Sequence, residues 1–231
     1  MQLFYNPTIE SDLFLEKEEH THATKVLRKK VGDTLHITNG KGDLFTCKII
    51  QLISKKSFVS IESKETFESK CNLTIAIAPT KNNNRTEFFL EKATEIGIKT
   101  IQPIICDRSE RKILKIDRMQ KIVTSAAKQS KNFNFPELRD PVSFKSFMSQ
   151  SFNSKKYIAH CENENLKREL HEMGLSKNSD VLILIGPEGE FTPKEIELAA
   201  SNGFDELSLG ESRLRTETAG IVATTLYHTL K

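Results

Sequence analysis

The stretch that most constrains this chain is Val181-Leu-Ile-Leu-Ile185, apolar at every position and followed at once by Gly186-Pro-Glu-Gly189. A strand with one face in water alternates apolar and polar residues. An unbroken apolar run suits a strand covered on both faces, as in a parallel sheet between layers of helices. Behind the turn, Thr192-Pro-Lys-Glu195 has the spacing of a capping box. Thr192 is the N-cap, Pro193 stands at N1 and Glu195 at N3, with Phe191 and Ile196 at the hydrophobic-staple positions. The helix so begun runs to about Asn202, where Gly203 closes it. Residues 186–189 therefore lie at the carboxyl end of a parallel strand, where open α/β sheets bind their ligands.

The same alternation starts at Leu73. Leu73–Ala78 reads as a strand. A helix follows from about Asn84 or Arg85 to Ile96, with Phe89, Ala93 and Ile96 on one stripe and Gly97 behind it. Thr100–Ile105 reads as a strand, Ile116–Lys128 as a helix, and Tyr157–Ala159 and Phe204–Leu209 as strands. A terminal helix carries Ala219, Val222, Leu226 and Leu230 on one face. Residues 136–156 show no period and read as connection. Such βαβ alternation predicts an α/β domain with a mainly parallel sheet.

The first 71 residues have a different pattern. Leu35–Thr38 and Leu44–Ile50 alternate around an Asn39–Asp43 turn, Phe58–Ile61 forms a further short strand, and His20–Lys30 reads as one short helix. Short strands at this spacing predict a small β-barrel. The polar stretch near 70–72 then divides the chain into 1–71 and 72–231.

Composition excludes several classes. With 37% hydrophobic and 28% charged residues in 231, the chain is neither disordered nor collagenous. No apolar run approaches the roughly 20 residues of a membrane span, and no basic segment followed by an apolar one opens the chain. Cys47, Cys71, Cys106 and Cys161 form no Cys-x-x-Cys pair, and the six histidines show no metal spacing. Reduced thiols, a cytoplasmic location and no metal are the expectation. His160, just past a weak strand, reads either as a cleft residue or, more readily, as a bland surface or core histidine. Gly-x-Gly-x-x-Gly, the P-loop and Gly-x-Ser-x-Gly are all absent.

Gly186-Pro-Glu-Gly189 is either a plain tight turn or a site where a ligand meets the backbone, since Gly186 and Gly189 admit close approach and positive φ. Leu209-Gly210 ends a second strand and leads into Glu211-Ser-Arg-Leu-Arg215-Thr-Glu217. If the two strands are neighbours, both glycine-bearing ends converge; otherwise Arg213, Arg215 and Glu217 are a solvated first helical turn. Between 108 and 131, eight basic residues stand against Glu110 and Asp117, an excess of six in a chain whose total is +3. This stretch is either a solvated helix face or a track for phosphates.

Ile185-Gly-Pro-Glu-Gly-Glu-Phe191, followed by Leu209-Gly-Glu-Ser-Arg-Leu-Arg-Thr-Glu-Thr-Ala219, resembles the SPOUT-class RNA methyltransferases. Within them the chain is most similar to the 16S rRNA (uracil(1498)-N(3))-methyltransferases. His22–Arg28, Glu91–Gly97 and Ala126–Ser130 agree, so the resemblance covers most of the chain. It implies a PUA-like N-terminal barrel, a C-terminal α/β domain with a deep trefoil knot, a homodimer, and 16S rRNA or the small ribosomal subunit as partner. The family usually has glycine where Glu190 stands, and often arginine where Lys131 follows Ala-Ala-x-Gln-Ser. Lysine keeps the charge but not the bidentate fork.

The resemblance further implies S-adenosylmethionine, with no metal, as methyl donor for N3 of a uridine. Ile185, Gly186, Pro187, Glu188 and Gly189 with Leu209, Gly210, Ser212 and Leu214 would hold the cofactor. Arg215 would stabilise the charge developing on the base, and Glu217 or Glu95 would accept the N3 proton. Arg28, Lys29, Lys81, Arg85, Arg108, Arg111, Lys112, Lys128 and Lys131 would contact RNA. The alternatives are a SPOUT enzyme with a different RNA target and a non-catalytic RNA-binding protein of ribosome assembly.

Overall fold

The computed structural model describes residues 1–160, 168–176 and 179–230; Cys161 lies outside them. The chain divides into two compact units, Met1–Ser69 with Ala127–Phe135, and Lys70–Ala126 with Pro136–Lys231.

In the first unit the strands are β1 (Leu3–Tyr5), β2 (Phe14–Glu16), β3 (Thr34–Thr38), β4 (Asp43–Ile53) and β5 (Lys56–Thr66). They form one sheet in the order β1-β3-β4-β5-β2. Alternation places Leu35, Ile37, Phe45, Cys47 and Ile49 in a core with Phe4, Leu15 and Val59. The strands expected to form a small barrel make up this five-stranded sheet, with two register irregularities in the β4–β5 pair. The ladder path ends at β1 and β2, and Asn6 behind β1 donates its side-chain amide to Phe14 O in β2.

The single helix expected over His20–Lys30 is instead a short α1 (Lys17–Thr21) running into a π-helical turn, His22–Val26. Thr21 and Thr24 hydroxyls bond the carbonyls of Lys17 and His20, and such back-bonding competes with the regular ladder. Arg28, at φ +53°, ends it.

The second unit alternates as read: β6 (Leu73–Ile77), α2 (Asn83–Ile96), β7 (Thr100–Ile105), α3 (Ile116–Ser130, its last turn counting with the first unit), β8 (Glu137–Leu138), β9 (Val142–Ser143), α4 (Phe144–Met148), β10 (Lys155–Ala159), β11 (Arg168–Glu169), β12 (Val181–Ile185), α5 (Pro193–Ser201), β13 (Asp205–Ser208) and α6 (Thr216–Thr229). The sheet is parallel throughout, in the order β11-β13-β10-β12-β6-β7-β8, with β9 on β7.

β12 shows why its sequence is unbroken. Val181, Ile183 and Ile185 enter one core with Phe89, Ala93, Val123, Ala223 and Tyr227. Leu182 and Leu184 enter the other with Phe144, Phe147, Phe191 and Ala199. Helices cover both faces.

Two expectations need correction. Residues 136–156 are not mere connection but hold β8, β9 and α4, whose Ser143 N-cap accepts the Ser146 amide and whose Phe144, Phe147 and Met148 are buried. Elements of two to five residues carry little more than one period, so no pattern announces them. In α6 the core-facing surface is wider than the predicted face: Gly220, Ala223, Thr224 and Tyr227 are buried, and Leu230 is buried with Ala219 and Leu226 packed against the same core.

Candidate active site

The site is built at the carboxyl ends of three adjacent parallel strands. β12 and β13 are not neighbours, contrary to the condition set above; β10 lies between them. Ala159 pairs with Ile185 on one side and Leu207 on the other. The loops after β12 and β13 meet over the tip of β10. There the Thr216 hydroxyl donates to Gly186 O at 3.0 Å, joining the two.

Between them lies a cavity of about 710 Å³. Ile185, Gly186, Pro187 and Glu188 line it from one loop, and Leu209, Gly210, Ser212, Leu214 and Arg215 from the other. The structure thus brings together eight of the nine residues assigned to the cofactor, and Arg215. Gly189 is the exception. It is exposed, its carbonyl accepts Arg108 Nη1 at 3.0 Å, and a Cβ on it would stand 3.2 Å from Arg108 Cβ.

The backbone of the first loop is held locally. The Glu190 amide donates to Pro187 O at 2.9 Å, and both bonds of the predicted capping box at Thr192 and Glu195 are present. Neither Gly186 nor Gly189 has positive φ; Glu190 does, at +63°. Its carboxylate reaches the second loop and pairs with Arg213 at 2.7 Å. Gly210, at φ +114°, turns the second loop, a conformation a side chain would strain.

The two carboxylates expected as proton acceptors stand elsewhere. On α6 the helical phase points Thr216 and Ala219 at the cavity, whereas Glu217 is buried toward α2, with Oε1 3.6 Å from Arg85 Nε. Glu95 sits in the last turn of α2, bonded by Lys92 at 3.0 and 3.1 Å. The acids that do line the cavity are Glu169, Glu188, Glu190 and Glu211.

Of the two readings of His160, the structure favours the cleft. Its side chain is 2% exposed, it lines the cavity at the tip of β10, and Nε2 is 3.6 Å from Glu206 Oε1. The strand-end rule that singled out Gly186, applied to β10, would have found it. Phe191, Arg213 and Thr216 are further lining residues not singled out for the site.

Several basic residues assigned to RNA are engaged within the chain. Arg111 donates to the carbonyls of Thr80 and Lys81. Lys81 gives its amide to Glu188 Oε1 at 3.0 Å and its ammonium to Glu110 at 2.7 Å, which raises its pKa. Lys128 pairs with Glu19. Arg28, Lys112 and Lys131 are exposed and Lys29 half-buried.

A parallel sheet with helices on both faces and a strand-end cavity, accompanied by a separate β-unit, defines the class. The chain belongs to the RNA methyltransferase family: the RNA methyltransferase domain matches residues 67–228 and the RNA methyltransferase PUA domain residues 15–62. It is similar to the Ribosomal RNA small subunit methyltransferase E of Rickettsia conorii, 33% identical over 92% of this chain and 88% of that one. Among solved structures it resembles a probable rRNA-methyltransferase from Porphyromonas gingivalis, 40% identical with a TM-score of 0.92, covering 100% of this chain and 98% of that one. It also resembles the Ribosomal RNA small subunit methyltransferase E of Neisseria gonorrhoeae bound to S-adenosyl methionine, 27% identical with a TM-score of 0.86 over 99% and 97% of the two chains.

Proposed function

We propose that this chain methylates N3 of a uridine in 16S rRNA, the position that the family name numbers 1498, with S-adenosylmethionine as donor. The observation that carries the reading is the cavity lined by the two loops that the Thr216–Gly186 bond joins. Its volume lies in the range of small-molecule sites. Its walls combine apolar Ile185, Leu209 and Leu214 with exposed backbone at Gly186 and Gly210, which suits an adenine ring and its hydrogen-bonding edge. The rim carboxylates suit a cationic ligand.

The cofactor, when bound, supplies a methyl group on a sulfonium. The protein's part is to hold it and to orient the nucleophile. Uridine N3 carries a proton at neutral pH. As that proton leaves, negative charge spreads to the flanking carbonyls, and this reading gives Arg215, exposed at the N-cap of α6, the role of stabilising it. A carboxylate of the rim takes the role first given to Glu217 and Glu95. N3 lies on the pairing edge, so the target base must be unpaired or extruded.

The same reading assigns RNA contact to Arg28, Lys29 and Lys131 of the first unit and to Lys112 of the second. It carries, from the resemblance, a trefoil knot in the second unit, a homodimer and a cytoplasmic location. Among the described residues no helix is long and apolar enough to cross a membrane.

The test is methylation of small ribosomal subunits lacking native modifications, followed by nucleoside analysis. N3-methyluridine is the expected product. A ribose or guanine methylation would point to a different target, and no product together with RNA binding would favour an assembly protein.

A further inference from the structure

The bonds of Arg108 do not match the RNA contact expected for it. Its Nη1 donates to Gly189 O at 3.0 Å, and a Cβ at 189 would stand 3.2 Å from its own Cβ, tighter than ordinary contact. Gly189 does not line the cavity. Glycine at 189 thus serves the close approach of Arg108, not that of a ligand.

The turn bearing Arg108 is itself anchored. The Cys106 amide donates to Ser109 Oγ and the Ser109 amide to Cys106 O, both at 3.0 Å. The Asp107 amide donates to Glu195 Oε1 at 2.9 Å. Glu195 is 5% exposed, and its Oε2 accepts the Thr192 amide at 2.8 Å. One buried carboxylate therefore roots both the start of α5 and the 106–109 turn, and Arg108 reaches back from that turn to the end of the Gly186–Gly189 segment. The cavity-lining segment has Thr216 on its front and Arg108 on its back.

We propose that Arg108 is a positioning residue for the adenosyl cofactor: it fixes the carbonyl of Gly189, and with it the backbone of residues 186–189, from a turn anchored by Glu195. This rests on the reading that the cavity holds the cofactor. A positioning residue of this kind acts through a hydrogen bond to a carbonyl, so a neutral donor replaces it. A phosphate contact acts through charge, so a neutral donor does not.

The experiment titrates S-adenosylhomocysteine calorimetrically into the full chain and its Arg108→Ala and Arg108→Gln variants, and measures methylation kinetics and the salt dependence of RNA binding. The wild type is titrated first; absence of binding there removes the cofactor reading and this inference with it. With binding established, Arg108→Ala should weaken it about tenfold, the equivalent of one charge-assisted hydrogen bond. KM for the cofactor should rise in parallel and KM for the subunit should stay unchanged. Arg108→Gln should restore most of the affinity. Unchanged cofactor affinity in Arg108→Ala would overturn the inference while leaving the cofactor reading intact. So would an RNA salt slope reduced by about one in both variants, which would make Arg108 a phosphate contact.

Discussion

Thr216 Oγ1 donates to the carbonyl of Gly186 at 3.0 Å, and this bond joins two loops whose strands are separated by a third. Thr216 is the first residue of α6 and is 5% exposed, so its hydroxyl is spent on the loop and not on water. Thr216→Val keeps the shape and removes the donor. The change should cost about 1 kcal/mol in chemical denaturation, the worth of one such bond, and should weaken S-adenosylhomocysteine binding several-fold. Unaltered binding would show that the loops keep their geometry without it.

Glu190 combines an unfavourable backbone with a favourable contact. A non-glycine residue in the left-handed region costs on the order of 1 kcal/mol, and the ion pair with the largely exposed Arg213 offsets a small part of this. Glu190→Ala loses the pair and keeps the strain, whereas Glu190→Gly loses both. Thermal denaturation should therefore rank Glu190→Gly above Glu190→Ala. The reverse order would mean that the left-handed φ at 190 costs less than the chain entropy glycine adds to the unfolded state.

Arg215 lines the cavity but is no part of the two-loop hydrogen bond. Arg215→Ala should lower kcat by on the order of a hundredfold, the usual cost of a lost charge-stabilising group, with S-adenosylhomocysteine affinity within about twofold. Equal losses in both would assign Arg215 to binding.

Cys47 is fully buried in the first unit's core, and burial, with a smaller contribution from Glu62, pushes its thiol up to about 11. An unfolded chain loses that proton near the ordinary value of 9.0, while the folded chain keeps it. Stability is thus complete below pH 9 and falls as pH rises through 9 to 11. Cys47→Ala should be less stable at neutral pH yet show a shallower alkaline loss. An equally steep loss would place the effect in other groups. Cys106, raised by its own burial, acts in the same direction.

Residues with local physics were legible in the sequence. The apolar run of β12 divides between two cores because both faces are covered, and Thr192 with Glu195 makes both bonds of its box. The two glycine-bearing loops were legible as strand ends, but the glycines by themselves also fitted plain turns, and the assignment of a cofactor came from the resemblance. What remained hidden depends on long-range order. No local signal places β10 between β12 and β13, so the cleft reading of His160 could not be preferred over a bland one. The phase of α6, which turns Glu217 toward Arg85 and away from the cavity, is set by packing against α2. Charge counting alone does not separate Arg108 and Arg111, engaged by carbonyls of their own chain, from exposed Lys112.

The central claim is that the hollow above the tips of β12, β10 and β13 grips an adenosyl group. A crystal structure of the chain with S-adenosylhomocysteine tests it most directly. The account predicts adenine against Ile185, Leu209 and Leu214, its edge bonded to main-chain atoms of the two loops. Density for the ligand at any other place, or a hollow that stays empty at saturating ligand, would contradict it.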